Sequence, residues 1–466
     1  MYKPYKTPII SALPDVNVPE PRISKFAILI VRLLVRFYLF FFIGFARTVV
    51  QGDALFNAFK RALAGESRCI IAFRHPNGAE PQVLSWFFLF KLRALAAKKG
   101  IRFSRMSHAV FVYGYEVARW GGWSARLTLP KMGAMPIHHS KLDSEGMARI
   151  YRAITEGPYP VALAPEGQVS YTTDSIPRLE SGVIRIGFNA VQQLEQQREQ
   201  KLEPSALQTT AGKNITCPVE ILPVSLHFRY GPVGEASMER LLRKVEKHCG
   251  FSRSEAKNLS FGERLRQCRN YILEINEGRY NIKSDTSVSF EERLEQVVNT
   301  ALETAERLLG VKTEGEFFSR LYKVRQICWD RIYLPGVDRI DRMTRIERGT
   351  KDLSAGEAWY ISRHQELADF CWYFRRPLPT EETALHNKVE YVQNLYDFAN
   401  RTMGGAISGR INIFPRKIII QAAEVINLTK RFPKYKEDKK AAIAAALSEL
   451  EKAYIDCINE VNSAEL

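Results

Sequence analysis

The chain has 466 residues, of which 45% are hydrophobic and 25% are charged, and its formal net charge is +16. This composition excludes a disordered or low-complexity chain, and the length predicts two or three structural units. Such a basic chain suits nucleic acid, an anionic membrane or acidic small molecules. Because the sequence has no helix-turn-helix, zinc-finger or aromatic RNA-binding signature, we expect no nucleic-acid partner.

The seven cysteines are scattered, odd in number and include no Cys-x-x-Cys pair. This pattern predicts neither a disulfide framework nor a structural zinc site, and we expect no metal. It favours a reducing location that faces the cytoplasm. The first twenty residues are polar and rich in proline, unlike a signal peptide.

Residues 26–46 read FAILIVRLLVRFYLFFFIGFA, an apolar run of about the length that spans a bilayer. In an ideal helix its two arginines fall on one basic stripe about 80° wide. The stripe contains Arg22, Lys25, Arg32, Arg36 and Arg47. The pattern favours a helix that lies in one leaflet with its cations at the lipid phosphates. A single span and a buried core helix with paired arginines are the alternatives.

A second helix is predicted to begin after Asp53, a suitable N-cap. Its apolar positions Leu55, Phe56, Phe59 and Leu63 recur on one face. The two helices together predict a membrane-associated helical foot over residues 1–66.

Short strands and helices alternate over residues 67–232, which predicts an α/β domain with a mostly parallel sheet flanked by helices. The predicted strands cover 69–73, 111–113, 135–137, 161–164 and 219–225. Helical periodicity then dominates residues 233–410, and a strand and a helix return within 411–466. The order predicts that the helical region is a large all-α insertion into the α/β domain.

His75 and Glu80 lie five residues apart, just after the first of these strands. On one helix they would point about 140° apart and could not meet. The turn-forming pair Asn77-Gly78 and Pro81, which suits the first helical position, instead predict a turn that ends with Glu80 as helix cap. A carboxylate on one imidazole nitrogen leaves the other nitrogen as a base, so this is a candidate catalytic pair. An ordinary surface loop is the alternative.

Three further blocks follow this pair in order. Gly133 precedes Pro136-Ile137, Pro165-Glu166-Gly167 follows the strand at 161–164, and Pro223 lies within the strand at 219–225. Together the four blocks resemble the glycerophospholipid acyltransferase family, which includes lysophosphatidic acid and glycerol-3-phosphate acyltransferases. The resemblance covers about residues 68–230 and the closing strand and helix.

The resemblance implies that His75, oriented by Glu80, takes the proton from an acceptor hydroxyl while the hydroxyl attacks an acyl thioester. Acyl-CoA or acyl-carrier protein would be the co-substrate, and neither a cofactor nor a metal is implied. The expected function is acyl transfer to a glycerol-phosphate or lyso-lipid acceptor in phospholipid biosynthesis, with membrane lipids as partners. The resemblance also implies substrate-binding roles for Glu166, Gly167, His139, Gly133 and Pro223.

Two positions depart from the family pattern. His139 stands where the family has a phosphate-binding arginine, and Gln168-Val169 replaces Thr-Arg after Gly167. Histidine grips phosphate less well than a bidentate guanidinium, so a non-phosphorylated acceptor is a second hypothesis. A non-catalytic lipid-binding protein on the same fold is a third. The candidates for a replacement cation are Arg74, Lys131, Lys141 and Arg178.

Overall fold

The computed structural model describes residues 11–464 except 40, 42–43, 139–142, 202–216, 313, 407–408 and 415. The strands are β1 (Leu13–Pro14), β2 (Phe45–Gln51), β3 (Arg68–Phe73), β4 (Val110–Gly114), β5 (Met135–Ile137), β6 (Val161–Leu163), β7 (Val219–Tyr230), β8 (Tyr333–Leu334), β9 (Arg416–Ala422) and β10 (Ile426–Asn427).

The helices of the first half are α1 (Lys25–Tyr38), α2 (Ala54–Ala64), α3 (Glu80–Trp86), α4 (Arg93–Lys98), α5 (Glu116–Trp120), α6 (Gly122–Lys131), α7 (Ser144–Thr155) and α8 (Gly182–Lys201). Those of the second half are α9 (Pro232–His248), α10 (Arg253–Lys257), α11 (Phe261–Arg279), α12 (Phe290–Leu309), α13 (Phe317–Ile332), α14 (Arg345–Tyr373), α15 (Leu385–Thr402), α16 (Leu428–Glu437) and α17 (Lys439–Ser463). A π-helical segment, Phe87–Leu92, joins α3 to α4, and Ile340–Arg342 forms a 3-10 turn.

The described residues form an eight-stranded sheet with the order β2-β9-β7-β3-β6-β4-β5, in which β10 also pairs with β7. The pairs β3–β7, β3–β6, β6–β4, β4–β5 and β2–β9 are parallel, whereas β7 runs antiparallel to β9 and β10. The prediction of an α/β fold with a mostly parallel sheet flanked by helices is confirmed.

Helices cover both faces of this sheet, which explains why its central strands are continuous apolar runs. In β3, Ile71 and Phe73 pack on the side that carries α2 and α3, whereas Ile70 and Ala72 pack on the side that carries α7, α8, α16 and α17. The alternation follows from the two-residue period of a strand. The buried sheet holds the residues after β3 and β6 at a fixed edge.

The N-terminal region differs from the predicted helical foot. Helix α1 ends at Tyr38, and residues 45–51 return as the edge strand β2, so Arg47 does not continue a helical stripe. Gly44 has a φ of +63°, which does not fit a right-handed helix, and the residues Thr48, Val49 and Val50 are all β-branched, which favours a strand.

Helix α2 also belongs to the α/β layer, because its apolar face, including Phe56 and Phe59, is buried against the sheet. The predicted boundary at residue 66 therefore divides one packed layer. Asp53 precedes α2 as predicted, but its side chain accepts from Lys99 and does not cap the helix.

None of the helices within the described ranges is long and apolar enough to cross a membrane. Helix α1 nevertheless has a large exposed apolar face. Its exposed side chains, 40–72% accessible, are Phe26, Leu29, Ile30, Leu33, Leu34, Phe37 and Tyr38. Arg32 is exposed beside this face and lies over the ring of Phe90, whereas the side chain of Arg36 is outside the described part of the chain.

Between β7 and β9 the described chain is helical apart from β8, and the helices α9 and α11–α15 share a core of their own. Capping boxes start several of these helices, as in Ser289 with Glu292 before α12 and Thr344 with Glu347 before α14. The N-terminal segment joins this region through β1, which pairs with β8. The interpretation of the helices as one inserted domain stays a prediction.

Candidate active site

His75 and Glu80 meet directly after β3. His75 Nδ1 lies 2.7 Å from Glu80 Oε2. Because the strands β3, β6, β4 and β5 are parallel, the segments that follow them share one edge of the sheet. The pair therefore lies at the edge where α/β proteins bind their ligands. About a fifth of the His75 side chain (19%) is exposed, whereas that of Glu80 is fully buried.

The turn between the two residues fixes the carboxylate. The backbone N–H groups of Asn77 and Gly78 donate to the two Glu80 oxygens, each at 2.8 Å. A carboxylate that accepts these bonds must also accept from His75, so Nδ1 carries the proton and Nε2 keeps the lone pair of a base. Ala79 is the N-cap and Glu80 the first residue of α3, so the helix begins one position earlier than predicted.

Behind the pair, Arg74 and Glu166 form a buried ion pair. Arg74 Nε donates to Glu166 Oε1 at 2.8 Å, and both side chains are fully buried. The remaining guanidinium N–H groups donate to the carbonyls of Thr172, Thr173 and Ser175. Glu166 Oε2 accepts from the backbone N–H of His75 at 3.2 Å. Glu166 thus contacts the backbone of the candidate pair, and its burial argues against direct contact with an acceptor.

Gly167 and Gln168 connect this edge of the sheet to the helical region. Gly167 has a φ of +71°, and a Cβ there would lie 2.4 Å from the carboxylate of Glu180, so the position requires glycine. Gln168 Nε2 donates to Asp369 of α14, and Gln168 Oε1 accepts from Arg325 of α13 at 3.1 Å. The segment that follows Gly167 is therefore bound to α13 and α14.

The other predicted substrate-binding residues lie apart from the pair. Gly133 precedes β5 at the opposite edge of the sheet, where its φ of +77° and its contact with Ile23 give it a structural role. Pro223 is buried inside β7, paired with Ala72. His139 lies outside the described residues.

The candidate replacement cations have other environments. The Arg74 guanidinium is fully buried, so it cannot contact an acceptor. Lys131 precedes β5 at the far edge, and the exposed Arg178 pairs with Glu316. Lys141 lies outside the described residues. Neither Arg74 nor Lys131 supplies a phosphate contact beside His75.

No sequence pattern indicates the second set of residues that holds the turn. Arg416, fully buried at the start of β9, donates from Nη1 to Asn77 Oδ1 at 3.0 Å. Asn77 Nδ2 donates to Asn412 Oδ1 at 3.3 Å. Burial lowers the pKa of Arg416 from its ordinary value, and the nearby Tyr230 and Glu80 oppose this effect. Strand β9 therefore stabilises the turn through a hydrogen bond between residues that are more than 300 positions apart.

A buried polar cluster joins the loop after Glu166 to helix α15. Thr173 is bound by Glu390, and Asp174 Oδ2 accepts from His386 at 2.7 Å. His227 of β7 is fully buried nearby, and neither ring nitrogen has a hydrogen-bond partner among the described residues. Burial, and then the positive charge of Arg229, lower the pKa of His227 to about 3. His227 is therefore neutral in the folded protein at neutral pH.

Acid should destabilise the protein through His227. Between its ordinary value of 6.5 and its folded pKa of about 3, the unfolded chain binds a proton at this residue that the folded chain does not bind. Stability should thus fall as pH drops below 6.5, by about 3 kcal/mol for this residue at pH 4.5. Urea denaturation of wild type and His227→Gln at pH 7.0 and 4.5 measures the difference. Equal losses in both proteins would contradict the prediction.

Comparison with models of protein families, with curated proteins and with solved structures found no match to this chain. The family resemblance of the four sequence blocks therefore stays a prediction, and function must be argued from the site itself.

Proposed function

We propose that this protein is a membrane-associated acyltransferase that faces the cytoplasm. It moves a fatty acyl group from acyl-CoA or acyl-carrier protein to a hydroxyl of a glycerol-phosphate or lyso-lipid acceptor in phospholipid biosynthesis. The observation that carries the proposal is the 2.7 Å contact between His75 Nδ1 and the buried Glu80 carboxylate at the carboxyl edge of the sheet. This is the arrangement of a general base and the group that orients it.

In the proposed reaction, the acceptor oxygen attacks the thioester carbonyl while His75 Nε2 takes the hydroxyl proton. The carbon–sulfur bond then breaks, and the leaving thiolate receives the proton from His75, which gives an ester and a free thiol. Within the described residues, the His75 ring hydrogen-bonds only to Glu80. A base without a bound serine or cysteine favours direct transfer over a covalent acyl-enzyme.

The proposal includes a membrane surface formed by α1 and α6. Helix α6 is joined to the start of α1 by backbone hydrogen bonds, such as Ser24 N–H to Lys131 O at 2.9 Å. It exposes Trp123 and Leu127, which adds to the apolar face of α1. A helix with such a face and an exposed arginine suits the boundary between acyl chains and lipid phosphates. A protein held there would meet acceptors that do not leave the bilayer.

Substituting glutamate for Leu33 and Phe37 should weaken binding to anionic vesicles by about tenfold or more, because each side chain contributes about 1.5–3 kcal/mol when buried. Co-sedimentation with phosphatidylglycerol vesicles measures the effect. The matched control is Ile346→Glu with Leu353→Glu, which changes two exposed apolar residues on α14. Equal loss in both double variants would argue against a specific membrane surface.

An acceptor screen tests the enzymatic proposal. Radiolabelled acyl-CoA and acyl-carrier protein are supplied to the purified protein with phosphorylated and non-phosphorylated lyso-lipids in vesicles. Labelled ester that forms with wild type and not with His75→Ala supports acyl transfer, and the acceptor that is labelled identifies the substrate class. Vesicle binding without any transfer in the whole panel would instead favour a non-catalytic lipid-binding protein.

A further inference from the structure

A groove of about 310 Å³ lies between α9 and residues 411–414, the segment that leads into β9. One wall carries Arg240, Lys244 and the hydroxyl of Ser237. Leu241, Ile413 and Phe414 form its apolar part. The groove is therefore apolar with two cations and a hydroxyl on one side.

The two cations of the groove are not neutralised. Arg240 donates from Nη2 to Ser237 Oγ at 2.9 Å, and Lys244 Nζ lies 5.1 Å from the centre of the Tyr396 ring. Among the described residues, no carboxylate lies within salt-bridge distance of either one. Two of the three acids of the same helix, Glu239 and Glu246, are bound to Arg264. The Ser237 hydroxyl donates its proton to the Val233 carbonyl at 2.8 Å, so the two cations are the groups that can bind a ligand. Two exposed cations on one wall suit an anion with several acceptor oxygens.

The segment that forms the second wall also touches the catalytic turn. Asn412 accepts from Asn77 Nδ2 at 3.3 Å, and the backbone N–H of Asn77 donates to Glu80. Gln393 of α15 holds this segment by donating to the carbonyl of Ile411 at 2.9 Å. One short stretch of chain therefore lies between the groove and the His75–Glu80 pair.

The other end of the same segment reaches the membrane-facing region. The Phe414 ring packs directly on Gly44, between α1 and β2, and the Arg416 N–H donates to Gly44 O at 3.1 Å. The groove therefore lies between the catalytic turn and the end of the exposed apolar helix. The wall of the groove thus contacts both the turn that holds Glu80 and the chain next to Gly44.

We propose that this groove binds the phosphate group of a substrate whose reacting end lies at His75. The inference rests on the proposed acyl transfer. The side chain that follows Gly167 cannot bind phosphate as a cation, because Gln168 is neutral and is bound to Asp369. In this proposal Arg240 and Lys244 of α9 supply the positive charge instead. A phosphate of this kind is carried by the phosphopantetheine arm of an acyl thioester and by a phosphorylated lyso-lipid acceptor.

The test compares full-length wild type with the double variant Arg240→Gln/Lys244→Gln. Two donors are used, acyl-CoA and the phosphate-free acyl-N-acetylcysteamine thioester, and two acceptors, lysophosphatidate and monoacylglycerol. We expect KM for the bound phosphorylated substrate to rise by about tenfold or more, with kcat little changed. KM for its phosphate-free counterpart should not change. The control, Arg243→Gln/Lys247→Gln, removes two exposed cations of α9 that do not line the groove.

A rise confined to acyl-CoA assigns the groove to the donor phosphate, and a rise confined to lysophosphatidate assigns it to the acceptor phosphate. Unchanged KM values, or the same rise in the control variant, overturn the inference. In that case transfer that still depends on His75 leaves the proposed function intact. If wild type transfers no acyl group, the inference is tested by calorimetric binding of CoA and of lysophosphatidate. Equal affinity of wild type and the double variant for both ligands overturns the inference.

Discussion

Replacing His75 with alanine should reduce acyl transfer by roughly 10²–10⁴-fold, the usual contribution of a general base. The fold should persist, because the partly exposed ring bonds only to Glu80 among the described residues, and Glu80 keeps the backbone N–H groups of Asn77 and Gly78. Initial rates of thiol release measure the loss, and the midpoint of urea denaturation shows that the variant is folded. Wild-type rates in folded His75→Ala would remove the base from the mechanism.

The variant Glu80→Gln tests whether activity requires the orientation of the His75 imidazole as well as its presence. Three donors, His75 Nδ1 and the N–H groups of Asn77 and Gly78, converge on two carboxylate oxygens. A carboxamide replaces one of these oxygens with a donor, so at least one bond is lost, and it has no negative charge to stabilise the imidazolium that forms when His75 takes a proton. If the nitrogen takes the place of Oε2, the ring also loses its fixed tautomer. We expect kcat to fall by about 10²-fold or more while KM changes little. Glu80→Asp, which keeps the charge, should lose far less activity, and equal losses in the two variants would contradict this role.

The sequence predicted the elements that depend on local composition. The strand at 135–137 has the predicted bounds, and the helix α12 begins at a capping box formed by Ser289 and Glu292. Apolar runs that end at a turn, and apolar faces that begin with a capping box, can be recognised from a few neighbouring residues. The turn between His75 and Glu80 belongs to the same class, because Asn77-Gly78 and Pro81 determine it locally.

Long-range features were not predictable in this way. The apolar run to Ala46 resembles one long helix, although residues 45–51 pair as a strand with β9, about 370 residues later. The contacts from Arg416 to Asn77 and from Gln168 to Asp369 join residues 339 and 201 positions apart. A single charged or amide side chain leaves no periodic pattern, so its partner becomes visible only when the chain is folded. Arg74 is an example: its sequence context does not show that its side chain is buried and paired with Glu166, so the sequence alone leaves it as a candidate ligand for phosphate.

Arg74→Met should destabilise the protein by about 3–5 kcal/mol, among the largest effects of any single substitution at the site. Methionine fills much of the volume but leaves the Glu166 carboxylate buried without its cation. It also leaves the carbonyls of Thr172, Thr173 and Ser175 without their donor. Urea denaturation measures the loss of stability. The matched control is Arg178→Met, whose exposed pair with Glu316 should contribute less than about 1 kcal/mol.

The double variant Arg74→Met/Glu166→Gln distinguishes an unpaired charge from lost packing. If the cost comes from the buried carboxylate, removing its charge should restore part of the stability, and the double variant should be more stable than Arg74→Met alone. A double variant as unstable as the sum of the two single variants would contradict this cause. Glu166 also accepts from the backbone N–H of His75. The loop after Glu166 is bound by Glu390 and His386 of α15. The ion pair therefore connects His75, the edge of the sheet and the helical region. His75, the sheet edge and the helical region should therefore loosen together when Arg74 is lost. If His75 is the base, kcat should fall even at temperatures where the variant remains folded.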